Sequence, residues 1–198
     1  MAVQQPKDQF YTADDLWELS QSARYAEQRL ELIEGELHEM SPAGWLHGEI
    51  ASELGAQIRL YAKQHGLGRV TAAETGFVLH KNPSGKDTVL APDVGFISAA
   101  RVPEKLPQKF VPFAPDLAVE VISPSEKDDE IISKVELYLR YGVQLVWVVY
   151  PLRQLVHVYR PGQENKGTYA FLDINSTLDG EDVLPGFQLN LSELFAEA

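Results

Sequence analysis

The sequence contains no cysteine, which excludes disulfide bonds and thiolate metal sites. No stretch approaches the ~20 consecutive apolar residues that a membrane-spanning helix needs. Residues 1–15 have neither the basic start nor the apolar segment of a secretory signal peptide. We therefore expect a cytoplasmic protein that has no membrane partner.

Basic side chains are few: 17 lysines and arginines stand against 29 aspartates and glutamates, for a formal net charge of −12. Tight, non-specific binding of nucleic acid needs a basic surface that displaces counterions. The composition argues against such binding over the whole surface, but it leaves open a local basic groove or a metal-bridged contact. The charge also has a simpler explanation, which is that it keeps the protein soluble.

Several familiar chemical motifs are missing. There is no G-x-x-x-x-G-K-[ST] phosphate loop and no G-x-S-x-G serine-hydrolase elbow. Gly66 and Gly68 begin a glycine pattern, but Thr71 stands where a dinucleotide-binding loop has its third glycine. His47 and Glu49 are spaced as in a zinc deaminase, whose cysteines are absent here. We therefore expect no organic cofactor.

The local patterns predict helices and strands along the whole chain. At 198 residues and 44% hydrophobic composition, the chain suits a single domain over residues 1–198. The predicted elements of the first part are a short helix with a Thr12–Asp15 capping box, a hairpin over 29–37, a helix over 46–64, and strand-like segments at 69–80 and 87–97 joined by a turn at 82–85. Residues 98–115 are predicted to form a loop long enough to cover a site.

The centre of the sequence reads as strand, helix, strand. The predicted order is a buried strand over 117–122, a helix capped at Ser123–Ser125 and ending near Tyr141, a strand over 144–150, and a further strand over 155–160. A strand–helix–strand unit predicts a right-handed crossover between two parallel strands. With hairpins on both sides, the predicted fold class is α/β, with a mixed central β-sheet flanked by helices.

An acidic residue interrupts the apolar strand over 117–122. Glu120 would cost several kcal/mol there unless it is paired or bound to a metal. Asp93, which follows Pro92, lies 27 residues earlier in another strand-like segment. Two carboxylates on adjacent strands suit Mg²⁺, which takes one or two carboxylates and keeps several waters. The alternative is that Asp93 serves only as a turn residue after the proline.

Lys134 lies at the edge of the predicted buried stripe of the following helix. The stripe consists of Ile131, Ile132, Val135, Tyr138 and Leu139. From this edge a lysine can reach over the sheet toward a carboxylate on a strand. The alternative is that its stem covers the core while its ammonium group stays in water.

Taken together, these residues resemble the PD-(D/E)xK nucleases and, more narrowly, the Uma2 (DUF820) family of restriction-endonuclease-like proteins. The matching pieces are LELIEGEL at 30–37, His47, Pro92-Asp93, PDLAVEVISPS at 115–125, the K-x-x-x-Y pattern of Lys134 and Tyr138, GVQLVWVVYP at 142–151, and LPGFQLNLSELF at 184–195. They follow the family order and cover nearly the whole chain.

The resemblance implies metal-dependent cleavage of phosphodiester bonds. Asp93 and Glu120 would then bind Mg²⁺, with Mn²⁺ as a possible substitute, and Lys134 would be the catalytic cation. The superfamily usually has its lysine two residues after the second acid, where this chain has Ile122, so the ammonium group would come from the next helix. Glu31 and His47 match further family positions and are predicted as lower-ranked site residues.

Two functions follow as hypotheses. The first is a Mg²⁺-dependent endonuclease that acts on DNA. The second is a binding or regulatory module that keeps the nuclease fold, no longer cuts, and works through protein contacts. We also expect a homodimer, because edge strands and aromatic residues are frequent in the C-terminal half (Trp147, Tyr150, Tyr159, Tyr169 and Phe171).

Overall fold

The computed structural model describes residues 10–25, 28–124, 126–162 and 167–196. The chain divides into two compact units. The first unit comprises Met1–Pro42, Glu74–Ala91 and Pro107–Ala114, and the second comprises Ala43–Ala73, Pro92–Leu106 and Pro115–Ala198. The assignment of residues 1–198 to a single domain stays a prediction.

The described residues of the first unit form one helix and four strands. They are α1 (Ala13–Ser20), β1 (Arg29–Ile33), β2 (Glu36–Met40), β4 (Phe77–His80) and β5 (Thr88–Leu90). The second unit contains the other helices and strands. They are α2 (Trp45–His65), β3 (Gly68–Ala72), β6 (Val94–Ser98), β7 (Leu117–Val121), α3 (Asp128–Arg140), β8 (Leu145–Tyr150), β9 (Leu155–Arg160), β10 (Thr168–Leu172), β11 (Thr177–Asp179), β12 (Gln188–Asn190) and α4 (Leu191–Leu194).

In the first unit, an antiparallel sheet of order β2-β1-β5-β4 packs with α1 around an apolar core. The predicted capping box is confirmed: Asp15 N donates to Thr12 Oγ1, and Thr12 N donates to Asp15 Oδ2. The predicted hairpin is confirmed as well. Its turn holds Glu34 and Gly35 at φ of 49° and 85°, a left-handed conformation that glycine adopts without strain.

The second unit is built on a six-stranded mixed sheet of order β10-β9-β8-β7-β6-β3. β7 and β8 are parallel, while the other neighbouring pairs are antiparallel, which confirms the predicted α/β class. One face of β7 packs Leu117, Val119 and Val121 into a core that includes residues of α2. The alternation of the strand therefore sends Glu120 to the opposite face, where α3 packs.

The two strand-like segments predicted at 69–80 and 87–97 are each split in the structure. Residues 68–72 join the six-stranded sheet as β3, whereas 77–80 join the four-stranded sheet as β4. The second segment divides in the same way into β5 and β6. Apolar residues occur on both sides of each break, so the sequence pattern did not reveal where the chain changes sheet.

The start of α3 also differs from the sequence prediction. The helix begins at Asp128 with Lys127 as its N-cap, and the proposed cap residue Ser125 lies outside the described residues. Ser123 N instead donates to Glu126 Oε2 at 2.6 Å, a local turn that competes with helix formation. On α3, Ile132 is 48% exposed and so does not belong to the buried stripe.

Beyond residue 98 the chain forms a short 3₁₀ turn at Ala99–Arg101 and then continues mainly as the predicted loop. None of the helices in the described part of the chain combines the length and apolar character required to span a bilayer.

Candidate functional site

The register of the sheet places two acidic residues opposite each other. Val94 of β6 pairs with Val119 of β7 in an antiparallel ladder, so Asp93 and Glu120 occupy the next pair of positions. Both side chains are buried, with 8% and 6% of their residue surface exposed. Two carboxylates that lie 27 residues apart in the sequence thus stand on neighbouring backbone segments, as predicted.

Asp93 is anchored to the strand beside it and to helix α2. Its Oδ2 accepts a hydrogen bond from Val121 N at 2.8 Å. The same oxygen lies 3.2 Å from Nε2 of His47, a largely buried residue in the first turn of α2. The backbone bond fixes the position of the carboxylate, and the imidazole contributes a second donor. The structure therefore brings His47 to Asp93.

Glu120 is held by two side chains of α3. Tyr138 donates its hydroxyl hydrogen to Glu120 Oε1 at 2.6 Å. Lys134 Nζ lies 3.7 Å from the same oxygen. Lys134 and Tyr138 are four residues apart, so both project from one face of the helix. An opposite charge and a short hydrogen bond together offset the desolvation of the Glu120 carboxylate.

The position of Lys134 decides between its two predicted conformations. Its side chain is only 13% exposed, and its ammonium group lies beside a buried carboxylate. A snorkelling lysine would keep that group in water. The structure therefore favours the conformation in which Lys134 reaches over the sheet toward Glu120. Ile122, two residues after Glu120, donates its backbone N–H to Val149 O at 2.8 Å.

The donor chemistry of the site matches a hydrated, hard cation. Among the described residues there is no group of three or more histidines, cysteines, aspartates or glutamates arranged to hold a metal ion. Magnesium does not need such a cage, because it binds through one or two carboxylates and keeps most of its waters. Asp93 and Glu120 supply two carboxylates of this kind, and their roles as ligands stay a prediction.

Glu31 belongs to the first unit. It lies in β1, is 1% exposed, and its Oε1 accepts a hydrogen bond from Ala91 N at 2.9 Å. This bond ties the side chain to the backbone at the end of β5. The suggestion that Glu31 is a further metal ligand stays a prediction.

Tyr138 was not selected from the sequence as a site residue. The sequence pattern places it in the buried stripe and in the K-x-x-x-Y pattern, and it is indeed fully buried. The available signal was its spacing of one helical turn from Lys134 together with a hydroxyl that needs a partner when buried. Only the packing of α3 on the sheet identifies Glu120 as that partner.

Comparison with known proteins identifies the family and the fold. The sequence profile of the Uma2 family, described as "Putative restriction endonuclease", matches residues 14–192. The crystal structure of a "putative nuclease belonging to DUF820" from Anabaena variabilis is similar to this chain with a TM-score of 0.75. It is 22% identical, covers 93% of this chain and is covered over 97% of its own length, so the likeness extends to the whole fold.

Among curated proteins, none matches this sequence. The profile match spans most of α1, the segments that carry Asp93 and Glu120, helix α3 and the paired strands β11 and β12. It covers far more than half of the chain. The chain therefore belongs to the Uma2 family.

Proposed function

We propose that the protein is a Mg²⁺-dependent endonuclease that hydrolyses phosphodiester bonds of DNA. Asp93 and Glu120 would be the metal ligands, and Lys134 would be the catalytic cation. The observation that carries the proposal is the placement of a largely buried lysine 3.7 Å from Glu120, one of two acids that lie opposite each other on neighbouring backbone segments. The family description and the DUF820 neighbour support the nuclease class.

Each proposed residue has a distinct task. The metal, when bound, lowers the pKa of a water molecule and polarises the phosphate. Lys134 places a positive charge next to Glu120, where it stabilises negative charge that develops on phosphate oxygens. Because lysine is a point charge on a flexible stem, delivery from α3 can replace delivery from the position of Ile122.

Two further side chains would keep the acids in place. His47 contacts Asp93 Oδ2, and Tyr138 donates to Glu120 Oε1. Groups that orient metal ligands typically change metal affinity by about 10- to 100-fold when they are removed. Their direct bonds to the two acids support this positioning task.

The decisive experiment is a calorimetric titration of Mg²⁺ and Mn²⁺ into the wild-type protein and the Glu120→Gln variant, followed by incubation of each with supercoiled plasmid. Mn²⁺ is included because a weak oxygen site often tolerates it better. We expect the wild type to bind metal and nick the plasmid, and Glu120→Gln to do neither. Glu136→Gln, which changes an exposed glutamate of the same helix, is the matched control.

Absence of metal binding at millimolar concentration would contradict the proposal. The second candidate would then apply: a non-cleaving module with the nuclease fold that acts through protein contacts. The net charge of −12 and the presence of Ile122 favour this alternative. It predicts that Asp93→Ala leaves the melting temperature unaffected by added metal, and that the wild type behaves in the same way.

A homodimer is the assembly that we propose. β10 is an edge strand that pairs with β9 on one side of the sheet, and such an edge can pair with a second copy. Trp147 is fully buried and does not contribute to this argument, whereas Tyr169 and Phe171 are exposed. A monomer mass in sedimentation at micromolar concentration would rule the dimer out.

A further inference from the structure

The first unit contains a cavity beside helix α1 that the proposed function does not use. Its volume is about 320 Å³, which lies within the range of small-molecule sites, about 300–1,000 Å³. Three stretches of this unit line it: the start of α1, strand β4 with the residue that follows it, and residues 107–112 of the loop predicted to cover a site. We call it the α1 cavity.

The walls of the α1 cavity are apolar and partly aromatic. The rings of Trp17 and Phe110 meet edge to face, with centroids 5.3 Å apart and 87° between their planes. This arrangement is favourable for two aromatic rings. Among the described residues, the apolar side chains that line the cavity are Ala13, Trp17, Val78, Pro107, Phe110 and Pro112. Such walls suit the flat apolar body of a small molecule.

Backbone hydrogen bonds tie the walls together, so the cavity exists before a ligand enters. Val78 N donates to Val111 O at 2.8 Å, and Val111 N donates to Gly76 O at 2.9 Å, which fastens the loop to β4. A Cβ atom at Gly76 would lie 2.5 Å from the Phe110 ring, so this ring rests directly on the backbone. A preformed site loses little conformational entropy when it binds a ligand.

The rim of the cavity carries two lysines that share one carboxylate. Lys109 Nζ lies 3.2 Å from Asp14 Oδ1, and Lys81 Nζ lies 3.6 Å from Asp14 Oδ2. The hydrogen bond from Lys109 and then the charge of Lys81 lower the pKa of the Asp14 carboxyl group. All three side chains are more than half exposed, so they can rotate when a ligand arrives. Asp14 thus shows how the two ammonium groups hold a carboxylate.

The charges at the rim favour a ligand with a single negative charge. Among the described residues that line the cavity, two cations face one anion, so the rim has a net positive charge in a protein whose total charge is −12. Exposed charges farther away than about 8 Å are largely screened at physiological ionic strength. One ligand carboxylate would match two ammonium groups to two carboxylates, whereas a phosphate dianion would leave an excess of negative charge.

We propose that the α1 cavity binds a small aromatic monocarboxylate, whose ring contacts Trp17 and Phe110 and whose carboxylate joins Asp14 between Lys81 and Lys109. The ring would displace water from the apolar walls, and the carboxylate would accept charge-assisted hydrogen bonds from the ammonium groups. The residues of this site are not those of the proposed nuclease site, so the two proposals are tested separately.

The probe is 2-naphthoate, and its matched neutral control is 2-naphthamide. Binding is measured by NMR titration of isotope-labelled protein through the indole N–H resonances of its three tryptophans. The ring current of a bound naphthalene should shift the Trp17 resonance, which is identified by its absence from Trp17→Phe, and leave those of Trp45 and Trp147 in place. We expect a dissociation constant on the order of 0.1–1 mM for 2-naphthoate, and one about fivefold higher for 2-naphthamide.

A double variant tests the role of the two lysines. Lys81→Met/Lys109→Met removes both ammonium groups and keeps the length of the side chains. It should bind 2-naphthoate about fivefold more weakly than the wild type, and it should bind the two ligands equally. Lys63→Met/Lys105→Met removes two exposed lysines of the second unit and changes the net charge by the same amount, and it should bind both ligands like the wild type.

Three results would overturn the proposal. They are absence of a saturable shift of the Trp17 resonance at about 10 mM 2-naphthoate, equal affinity of the wild type for the two ligands, and an equal loss of affinity in the two double variants. The comparison of the two ligands uses the wild type, so it does not depend on the folding of a variant. A shift confined to Trp45 or Trp147 would place the ligand outside the α1 cavity and would also contradict the proposal.

Discussion

Among the residues that the structure describes, each of the two units buries two carboxylates, but with different partners. In the first unit, the oxygens of Asp87 accept backbone N–H groups of Ala13 at 2.9 Å and Asn82 at 2.7 Å. In the second unit, Glu120 contacts the ammonium group of Lys134 and the hydroxyl group of Tyr138. The Asp87 carboxylate links the start of a helix to a turn. The Glu120 carboxylate instead meets a side chain that donates a hydrogen bond and a side chain that carries a positive charge.

Burial of an acid is therefore a weak indicator of chemistry when taken alone. Backbone amides are neutral donors in fixed positions, and a carboxylate that accepts them holds loops together without any charged or titratable partner. Side-chain partners from a separate helix can reorient when a ligand arrives. Asp93 combines both patterns, with one bond to Val121 N and one contact to His47.

The largest effect should come from Lys134→Met, which keeps the length of the side chain and removes its charge. If Lys134 stabilises the transition state, plasmid cleavage should fall by a factor on the order of 10² or more, while metal binding remains. The measurement is the initial nicking rate at saturating metal. Lys127→Met removes a lysine that is 78% exposed in the side chain, and it should leave the rate unchanged. Equal rates for both variants would remove Lys134 from the mechanism.

The corresponding change in the first unit is Asp87→Ala, which should act on stability. It leaves two backbone N–H groups without their charged acceptor, so we expect the free energy of unfolding to fall by about 3 kcal/mol. Urea denaturation measures this. Asp14→Ala, which breaks ion pairs of a side chain that is 64% exposed, should change stability by less than about 1 kcal/mol. A similar loss of unfolding free energy in Asp87→Ala and Asp14→Ala would contradict the proposed difference between a buried acid that binds backbone N–H groups and an exposed one.

Tyr138→Phe sharpens the contrast within the second unit, because it removes one hydroxyl and keeps the ring in the core. We expect about 1 kcal/mol of lost stability and a roughly tenfold weaker metal affinity, since Glu120 loses the donor that orients it. Calorimetric titration with Mn²⁺ measures the change in metal affinity. Tyr61→Phe loses a hydroxyl bound to Pro185 O and should reduce stability alone. Unchanged metal affinity in Tyr138→Phe would limit Tyr138 to packing.

The smallest expected effect concerns the pH dependence of stability at His157, a partly buried residue of β9. Burial, and then the nearby Arg153 charge, lower the pKa of His157 below its ordinary value of 6.5, while Asp128 acts in the opposite direction. When the pH falls below about 6.5, the unfolded chain therefore binds a proton at His157 more readily than the folded protein does. The stability contribution is present above pH 6.5 and is lost as the pH falls through the folded-state pKa.

A melting-temperature comparison between about pH 7.5 and about pH 5.5 tests this shift. The loss of melting temperature on acidification should be smaller in His157→Gln than in the wild type. The remaining ionisable groups are the same in both proteins, so their contributions cancel in the difference. An equal loss in the two proteins would show that His157 keeps an ordinary pKa.

Much of the local structure was predictable from the sequence because its causes are local. The capping box at Thr12, the hairpin turn at Gly35 and the end of α2 at Gly66 depend on a few neighbouring residues. The alternation of β7 was enough to separate Glu120 from the apolar face of the strand. The breaks inside 69–80 and 87–97 were missed because either half has strand character, whichever sheet it joins.

The sequence by itself predicted the faces of their own strand and helix on which Glu120 and Lys134 lie. Only the tertiary structure decided the partners of the buried acids: Asp93 with Val121 N across 28 positions, Glu120 with Tyr138 across 18, and Asp87 with Ala13 across 74. Periodicity and turn chemistry act over a few residues, whereas these contacts depend on strand register and on how a helix packs against the sheet. Those are set by the burial of the whole core, which no short stretch of sequence specifies.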